Sequence, residues 1–255
     1  MVTFPLSDLR MISKPKARFI KSLQVKKYRL AEQCFLVQGA KAVKETLTSD
    51  YRVITLCGTG SFLRDTMNSG KAQEVIEVSE KELTALGSVD VNTSALAIVQ
   101  FKSPRKPLIT HDSFTLVLDD IRDPGNLGTI IRTADWYGLT TILASQETTD
   151  MYSPKVINAT MGSFLRVAVH YDSLPAVLAT VDVPVYGTFL DGENVHTTNF
   201  EGGGLIIIGN ESRGISPEVE RFVTRRITIP RMGIAESLNA SVATGIVLDN
   251  IRRRS

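Results

Sequence analysis

The chain has 255 residues, of which 43% are hydrophobic and 22% charged, a composition that supports one large or two modest cores and excludes an intrinsically disordered chain. It contains no apolar run of about 18 residues, and its first 19 residues lack the features of a signal peptide, so we expect a soluble, cytoplasmic protein. Cys34 and Cys57 each lie in a short apolar run, which predicts buried thiols and argues against a disulfide framework or a zinc site.

The net charge of +2 conceals an uneven distribution. Residues 1–107 carry 17 basic and 10 acidic side chains, residues 108–255 carry 12 and 17, and residues 10–29 hold eight basic side chains and no acidic one. A solvated helix face or a membrane surface could use such a run, but the missing acidic residues favour a polyanion partner, because phosphate contacts release counterions. The candidate phosphate contacts are Lys14, Lys16, Arg18, Lys21, Lys26 and Lys27.

The first half alternates apolar runs with polar stretches of helical length, which is typical of an α/β domain. Strands are predicted at CFLVQG, RVITLCG, EVIEVS and ALAIVQF, with helices between them at about 39–49, 59–70 and 79–87. A basic, proline-bounded segment follows, and it predicts a linker at 103–109 between domains at 1–102 and 110–255.

The second half repeats the alternation. Strands are predicted at FTLVLDD, TTILAS, LRVAVH, VPVYGTFL, GLIIIGN and RITIP, and helices at about 127–137, 154–161, 173–181, 216–223 and 237–253. The strand runs are continuously apolar rather than alternating, which indicates a mostly parallel sheet covered on both faces.

Three strand-to-loop junctions in this half are rich in polar and turn-forming residues. In the first, residues 119–134, Asn126 stands near a helix start with Arg132 almost two turns on, so both could face one side. A capping Asn with a surface Arg is the alternative. Loops beyond the carboxyl ends of strands form the ligand crevice of open α/β sheets, so we expect the three junctions to form one site.

The second junction, residues 206–215, places Glu211 between two glycines, and Gly209 would let a ligand approach the backbone closely. In the third, residues 229–242, Pro230 ends a strand, and Ser237 and Asn239 open the last helix. The three histidines have no metal-ligand spacing, and the chain lacks a phosphate-binding P-loop and a Rossmann glycine fingerprint.

Together the junctions resemble the three signature motifs of the SpoU/TrmH family of RNA methyltransferases, within the SPOUT superfamily. The matching positions are Asn126, Gly128, Arg132, Thr133 and Ala134, then Gly209, Glu211 and Gly214, and finally Ile229, Pro230, Gly233, Ser237, Leu238, Asn239 and Ser241. Arg231 departs from the family, which usually has Met there. The resemblance covers about residues 110–253, and the first half is similar, less specifically, to the ribosomal-protein-like substrate-binding domain of family members that act on ribosomal RNA.

The resemblance implies a parallel sheet with a C-terminal trefoil knot that binds S-adenosyl-L-methionine. It implies methyl transfer to a ribose 2′-hydroxyl, most readily of large-subunit ribosomal RNA; transfer RNA, or a non-catalytic RNA-binding or ribosome-assembly role, are the alternatives. It further implies a homodimer in which Arg132 faces the cofactor of the other subunit. The catalytic residues it implies are Asn126, Arg132, Glu211, Ser237 and Asn239, and the cofactor contacts are Thr188, Leu190, Gly209, Ile229 and Leu238.

Overall fold

The computed structural model describes residues 12–66, 72–88, 92–103, 106–200 and 202–253. Contacts within the chain define two units, of which the first contains Met1–Ser103 together with Tyr152–Leu165, and the second contains Pro104–Met151 and Arg166–Ser255. Within the described ranges, no helix is long and apolar enough to cross a membrane. The domain limits expected from the sequence stay a prediction, but Tyr152–Leu165 lies with the first unit although it comes from the second half of the chain.

The first unit is built on a four-stranded sheet with the order β1-β4-β2-β3. Its elements are α1 (Lys14–Ser22), α2 (Lys26–Glu32), β1 (Cys34–Gln38), α3 (Ala40–Thr48), β2 (Val53–Gly58), α4 (Gly60–Thr66), β3 (Glu74–Glu77), α5 (Glu80–Leu86) and β4 (Ala95–Gln100). Strand β4 pairs antiparallel with β1 and β2, while β2 and β3 are parallel. The sheet is therefore mixed, whereas the sequence predicts its strands without their directions.

Helix α1 begins where local chemistry favours it. The Ser13 side chain accepts a hydrogen bond from the Lys16 backbone N–H, and a proline occupies the first turn, where its missing N–H costs nothing. Ile20 and Leu23 are fully buried and anchor the helix. Arg29 is also buried, at 3% exposure, and its guanidinium donates to the carbonyls of Leu23 and Gln24, so it closes the end of the helix rather than facing solvent.

The segment Tyr152–Leu165 completes the core of the first unit with aromatic rings. It contains α7 (Pro154–Ala159) and a short 3₁₀ turn. The ring of Tyr152 stacks on Phe101 with centroids 4.1 Å apart, and Phe164 meets Phe35 edge-on at 5.8 Å. These contacts join residues far apart along the chain, so local sequence patterns do not reveal them.

The second unit contains a six-stranded sheet with the order β10-β8-β9-β5-β6-β7. Its strands are β5 (Phe114–Leu118), β6 (Thr141–Ala144), β7 (Ala168–Tyr171), β8 (Val185–Asn194), β9 (Gly204–Ile208) and β10 (Arg225–Thr228). Its helices are α6 (Pro124–Trp136), α8 (Leu174–Leu178), α9 (Pro217–Glu220) and α10 (Ala240–Arg252). Every strand pairing in this sheet, as far as the structure describes it, is parallel, which confirms the parallel sheet expected from the continuous apolar runs.

The centre of this sheet is inaccessible to solvent. All five residues of β9 are buried, and Leu116, Val117 and Leu118 of β5 are fully buried. Burial of successive residues on opposite faces means that both faces of the sheet are covered. The trefoil knot implied by the resemblance stays a prediction.

Candidate active site

The three polar junctions lie at one edge of the parallel sheet. The first loop follows β5, the second follows its neighbour β9, and the third follows β10, which β8 separates from β9. Parallel strands present their carboxyl ends at the same edge, which is where open α/β sheets bind ligands. The sheet order therefore explains why segments that are far apart in sequence form one site.

Asn126 connects the three loops. Its side-chain amide donates to Glu211 Oε1 over 2.7 Å, and its side-chain oxygen accepts from Asn239 Nδ2 over 2.8 Å. The helix is capped by Asp123, which accepts from the Asn126 backbone N–H over 2.7 Å. The capping alternative for Asn126 is therefore wrong: because Asp123 caps α6, the Asn126 side chain is available to bridge Glu211 and Asn239.

Asn239 is held in place by the start of α10. Its side-chain oxygen accepts from the Ser241 backbone N–H over 2.9 Å and from the Ser241 hydroxyl over 2.6 Å. This N-cap orients the amide nitrogen of Asn239 toward Asn126. The helix begins at Ala240, so Asn239 opens it as expected, while Ser237 precedes it, is exposed, and forms no hydrogen bond with any described residue.

The loop that carries Glu211 is fixed by residues that sequence patterns assign no role. The Asn210 side-chain oxygen accepts from the backbone N–H groups of Ser212 and Arg213, and its amide donates to the Asp120 carbonyl over 2.8 Å. Asp119 is 4% exposed and accepts from the Ser216 N–H over 2.7 Å. Asp119 braces the loop through its carboxylate and Asp120 through its backbone carbonyl, and their partners lie 97 and 90 residues away along the chain.

Position 209 must be a glycine because the backbone of the same loop leaves no room for a side chain. A Cβ at this position would lie 2.3 Å from the backbone of Gly214 and Ile215, a separation that van der Waals contact forbids. The two ends of the loop meet there, and Asn210 and Gly214 form a β-bridge. The close approach expected at Gly209 is thus made by the protein backbone, and contact of Gly209 with a cofactor stays a prediction.

Arg132 does not join the hydrogen-bonded group. Its side chain is exposed on α6, and it forms no ion pair or hydrogen bond within the part of the chain that the structure describes. Six residues turn an α-helix by about 600°, so Asn126 and Arg132 point about 120° apart. The expectation that both face one side is therefore wrong. Arg132 shares its face with Trp136, one turn further along and 84% exposed.

The remaining predicted cofactor residues lie on or beside three adjacent strands. Thr188 and Leu190 are in β8, Ile229 follows β10, and Leu238 belongs to the third loop. The Thr188 hydroxyl donates to the Ile207 carbonyl over 3.0 Å, which ties β8 to β9.

The third loop presents uncovered apolar side chains. Met232 and Ile234 are almost fully exposed, and Leu238 and Leu190 are 46% and 76% exposed. Exposed patches of several large apolar side chains are uncommon in proteins and usually mark a binding site. Exposed apolar side chains near the carboxyl ends of these strands suit a ligand with an apolar part, as S-adenosyl-L-methionine has, and their contact with the cofactor stays a prediction.

Five of the six predicted phosphate contacts are surface side chains with no described partner; they are Lys14, Arg18, Lys21, Lys26 and Lys27. Lys16 is different, because its ammonium group lies 2.5 Å from Glu74 Oε2 and 3.1 Å from the Thr55 hydroxyl. Its charge is compensated across the sheet of the first unit. The ion pair gives Lys16 a structural role within the first unit, and its contact with RNA stays a prediction.

Both cysteines are buried and free, as predicted. Desolvation raises the pKa of Cys34, and it raises the pKa of Cys57 to about 12. Across the described residues, no group of three or more histidine, cysteine or acidic side chains is placed to hold a metal ion.

Comparison with known proteins places this site in a family. Residues 113–249 match the SpoU rRNA Methylase family, and residues 14–97 match the MRM3-like substrate binding domain. The Bacillus subtilis (strain 168) 23S rRNA (guanosine(2553)-2′-O)-methyltransferase RlmP is 28% identical over 252 residues, which cover 97% of this chain and 100% of the relative.

Solved structures agree with this assignment. A TrmH-family RNA methyltransferase structure from Porphyromonas gingivalis has 37% identity and a TM-score of 0.88, covering 96% of this chain and 100% of its own. An AdoMet-bound rRNA methyltransferase from Sinorhizobium meliloti has 30% identity and a TM-score of 0.85, covering 96% and 98%. Because the family match spans more than half of the chain and the Porphyromonas gingivalis protein is similar over its whole length, the chain belongs to the SpoU rRNA methylase family.

Proposed function

We propose that the protein transfers a methyl group from S-adenosyl-L-methionine to a ribose 2′-hydroxyl of large-subunit ribosomal RNA. The observation that carries this proposal is the hydrogen-bonded chain from Asn239 through Asn126 to Glu211, which joins one residue from each family motif. The ribosomal substrate is supported by RlmP, whose name assigns it to 23S rRNA and which this chain matches over its full length.

The cofactor is assigned to the edge formed by β8, β9 and β10, with Thr188, Leu190, Gly209, Ile229 and Leu238 as its contacts. When bound there it supplies an electrophilic methyl group. The apolar side chains of the third loop would close over it and exclude water. The AdoMet-bound neighbour from Sinorhizobium meliloti supports the choice of cofactor.

The chain's own task is to position the acceptor hydroxyl. Glu211 and Asn239 hold the Asn126 amide in a single orientation, so the site is pre-organised before RNA binds. We assign Arg132 to orienting the hydroxyl and screening charge rather than to removing its proton, because a guanidinium remains protonated at neutral pH. Ser237 is exposed beside this group and is assigned to substrate contact.

The active site is proposed to form across a homodimer. Arg132 is exposed and makes no hydrogen bond with the Asn126 group of its own chain among the described residues, and it lies on a face that also exposes Trp136. Helix α10 packs on α6 and exposes Val242. A second copy seated on these helices would cover both apolar side chains and would bring Arg132 to the site of the other subunit.

The basic first unit is proposed to bind RNA through Lys14, Arg18, Lys21, Lys26 and Lys27, while the second unit carries the chemistry. We place the reaction in the cytoplasm.

The test combines calorimetry with methyl mapping. Labelled cofactor should bind the protein, and large-subunit ribosomal RNA from cells lacking it should lose one 2′-O-methyl group that the purified enzyme restores. A missing methyl group in transfer RNA instead would favour the transfer-RNA alternative. RNA binding with an unchanged methylation map would leave a non-catalytic assembly factor.

A further inference from the structure

A cavity of about 530 Å³ lies beside the Asn126–Glu211 hydrogen bond, between the loops that follow β5 and β9. Its lining includes Arg122, Asp123 and Pro124 from the first loop, and Asn210, Glu211, Ser212 and Arg213 from the second. A volume of this size suits a nucleotide. None of the proposed cofactor contacts is among the lining residues, whereas Glu211 of the hydrogen-bonded group is.

The two carboxylates that line the cavity, Asp123 and Glu211, and that of Asp120 beside it already have partners in the chain. Asp123 accepts from the Asn126 backbone N–H, Glu211 accepts from the Asn126 amide, and the Asp120 carboxylate accepts from Arg122 Nε over 2.7 Å. Each of these carboxylates thus has at least one oxygen engaged within the chain, and Asp123 is exposed at the cavity beside the two arginines.

The two guanidinium groups at the cavity retain unused donors. Arg213 is exposed and its side chain forms no ion pair or hydrogen bond with any described residue. Arg122 is held only through Nε, which leaves both of its terminal nitrogens without a partner among the described residues. A guanidinium with two available nitrogens binds a phosphate in bidentate fashion.

Both arginines stand on a fixed scaffold. Asp120, which anchors Arg122, has a φ of +59°, an uncommon conformation for a residue other than glycine. Its carbonyl accepts from the Asn210 amide, and Asn210 also accepts from the Arg213 backbone N–H. One asparagine thus links the backbones of both loops, which lowers the ordering cost of binding.

We propose that this cavity receives a nucleotide of the substrate RNA strand and that Arg122 and Arg213 contact its flanking phosphates. The inference rests on the proposed function, since it takes RNA as the acceptor. It assigns the second unit its own RNA-binding site, beside the hydrogen-bonded catalytic group and separate in sequence from the basic run of residues 14–27.

The test uses the full chain with Arg122→Gln, Arg213→Gln and Arg213→Lys. Arg221→Gln is the matched control, because Arg221 is an exposed arginine of the same unit that lies over the Phe222 ring and outside the cavity lining. RNA affinity and methyl transfer are measured on large-subunit ribosomal RNA from cells lacking the protein, and cofactor affinity by calorimetry.

Each Gln variant should raise the Kd and KM for RNA about tenfold and lower the slope of log affinity against log salt by about 0.7, the value for one phosphate contact on a single strand. Arg213→Lys should recover part of the affinity, because it keeps the charge but loses the bidentate geometry. Cofactor affinity should stay within about twofold in all variants. Arg213→Gln decides the matter even if Arg122→Gln misfolds, because the Arg213 side chain supports no described contact.

RNA affinity within about twofold of the wild type in Arg213→Gln, as in Arg221→Gln, would overturn the inference. A fall in cofactor affinity with RNA affinity unchanged would overturn it too. A wild-type protein that binds RNA in an Arg213-dependent manner yet transfers no methyl group would refute the proposed function and support the cavity assignment.

Discussion

Swapping the donor and the acceptor of the Asn126–Glu211 hydrogen bond tests the geometry at the centre of the site. In Asn126→Asp, the amide that donates to Glu211 Oε1 over 2.7 Å becomes a second carboxylate. In the double variant Asn126→Asp with Glu211→Gln, the side-chain amide introduced at position 211 can donate to the carboxylate introduced at position 126. The bond is then restored in the reverse direction, with nearly the same side-chain volumes.

The expected magnitude follows from the contact. A hydrogen bond to a charged, partly buried carboxylate contributes about 1.5 kcal/mol, and two carboxylates at this separation repel by at least about 1 kcal/mol in a water-like dielectric. Asn126→Asp should therefore destabilise the protein by about 2.5 kcal/mol, or about 5–10 °C in Tm. The double variant should regain more than half of this loss.

Thermal unfolding followed by circular dichroism measures the effect. Asn199→Asp is the control, because the substitution makes the same change of charge at an exposed position elsewhere in the second unit. The Tm of this variant should stay within about 1 °C of the wild type. If the double variant were no more stable than Asn126→Asp, the side chains of residues 126 and 211 would not share a hydrogen bond, and the proposed bridge between the motifs would be refuted.

Three further predictions concern the rest of the molecule. Arg132→Ala and Glu211→Gln should each abolish methyl transfer while leaving cofactor affinity within a few-fold. Mixing the two variants should recover about a quarter of the wild-type activity, because half of the dimers are then mixed and each mixed dimer holds one intact site out of two. Mixtures that stay inactive after subunit exchange has been verified would contradict a shared site. Lys14→Gln should lower the slope of log RNA affinity against log salt concentration by about 0.7–0.9. Lys16→Gln should leave this slope unchanged and lower the free energy of unfolding by at most about 1 kcal/mol, since it breaks a partly exposed ion pair. Equal slopes for the two variants would show that Lys16 also contacts RNA. Burial raises the pKa of Cys57 to about 12, so its thiol should stay protonated and unreactive toward a thiol reagent at about pH 8 in the folded protein, because only the thiolate attacks. The same thiol should react after denaturation. Rapid labelling of the native protein would show that the residue is accessible.

The central strands of the second unit can be predicted from sequence because β5, β6 and β9 are nearly continuous apolar runs, and burial on both faces makes a parallel sheet the expected arrangement. The three junctions can be placed at one edge for the same reason. The hydrogen bond between Asn126 and Glu211 cannot be predicted, because it spans 85 positions and depends on Asp123, not Asn126, capping the helix.

Other features are hidden for related reasons. The basic run looks uniform in the sequence, but Lys16 reaches Glu74 on a distant strand and Arg29 turns inward to cap a helix. Charge counting ignores such tertiary partners. Gly209 stands out in the sequence as a glycine that permits close approach, and only the structure shows that the approaching group is the chain's own backbone.

The placement of Tyr152–Leu165 constrains how the chain is made and how it can be recombined. The aromatic core of the first unit needs Tyr152 and Phe164, which leave the ribosome only after β5, α6 and β6 of the second unit. The N-terminal unit therefore cannot finish folding before part of the following sheet has been synthesised, although it comes first in sequence. A chimaera that exchanges the first unit between relatives should carry residues 152–165 with it, since a single crossover near residue 103 would separate Phe35 and Phe101 from the rings that pack against them.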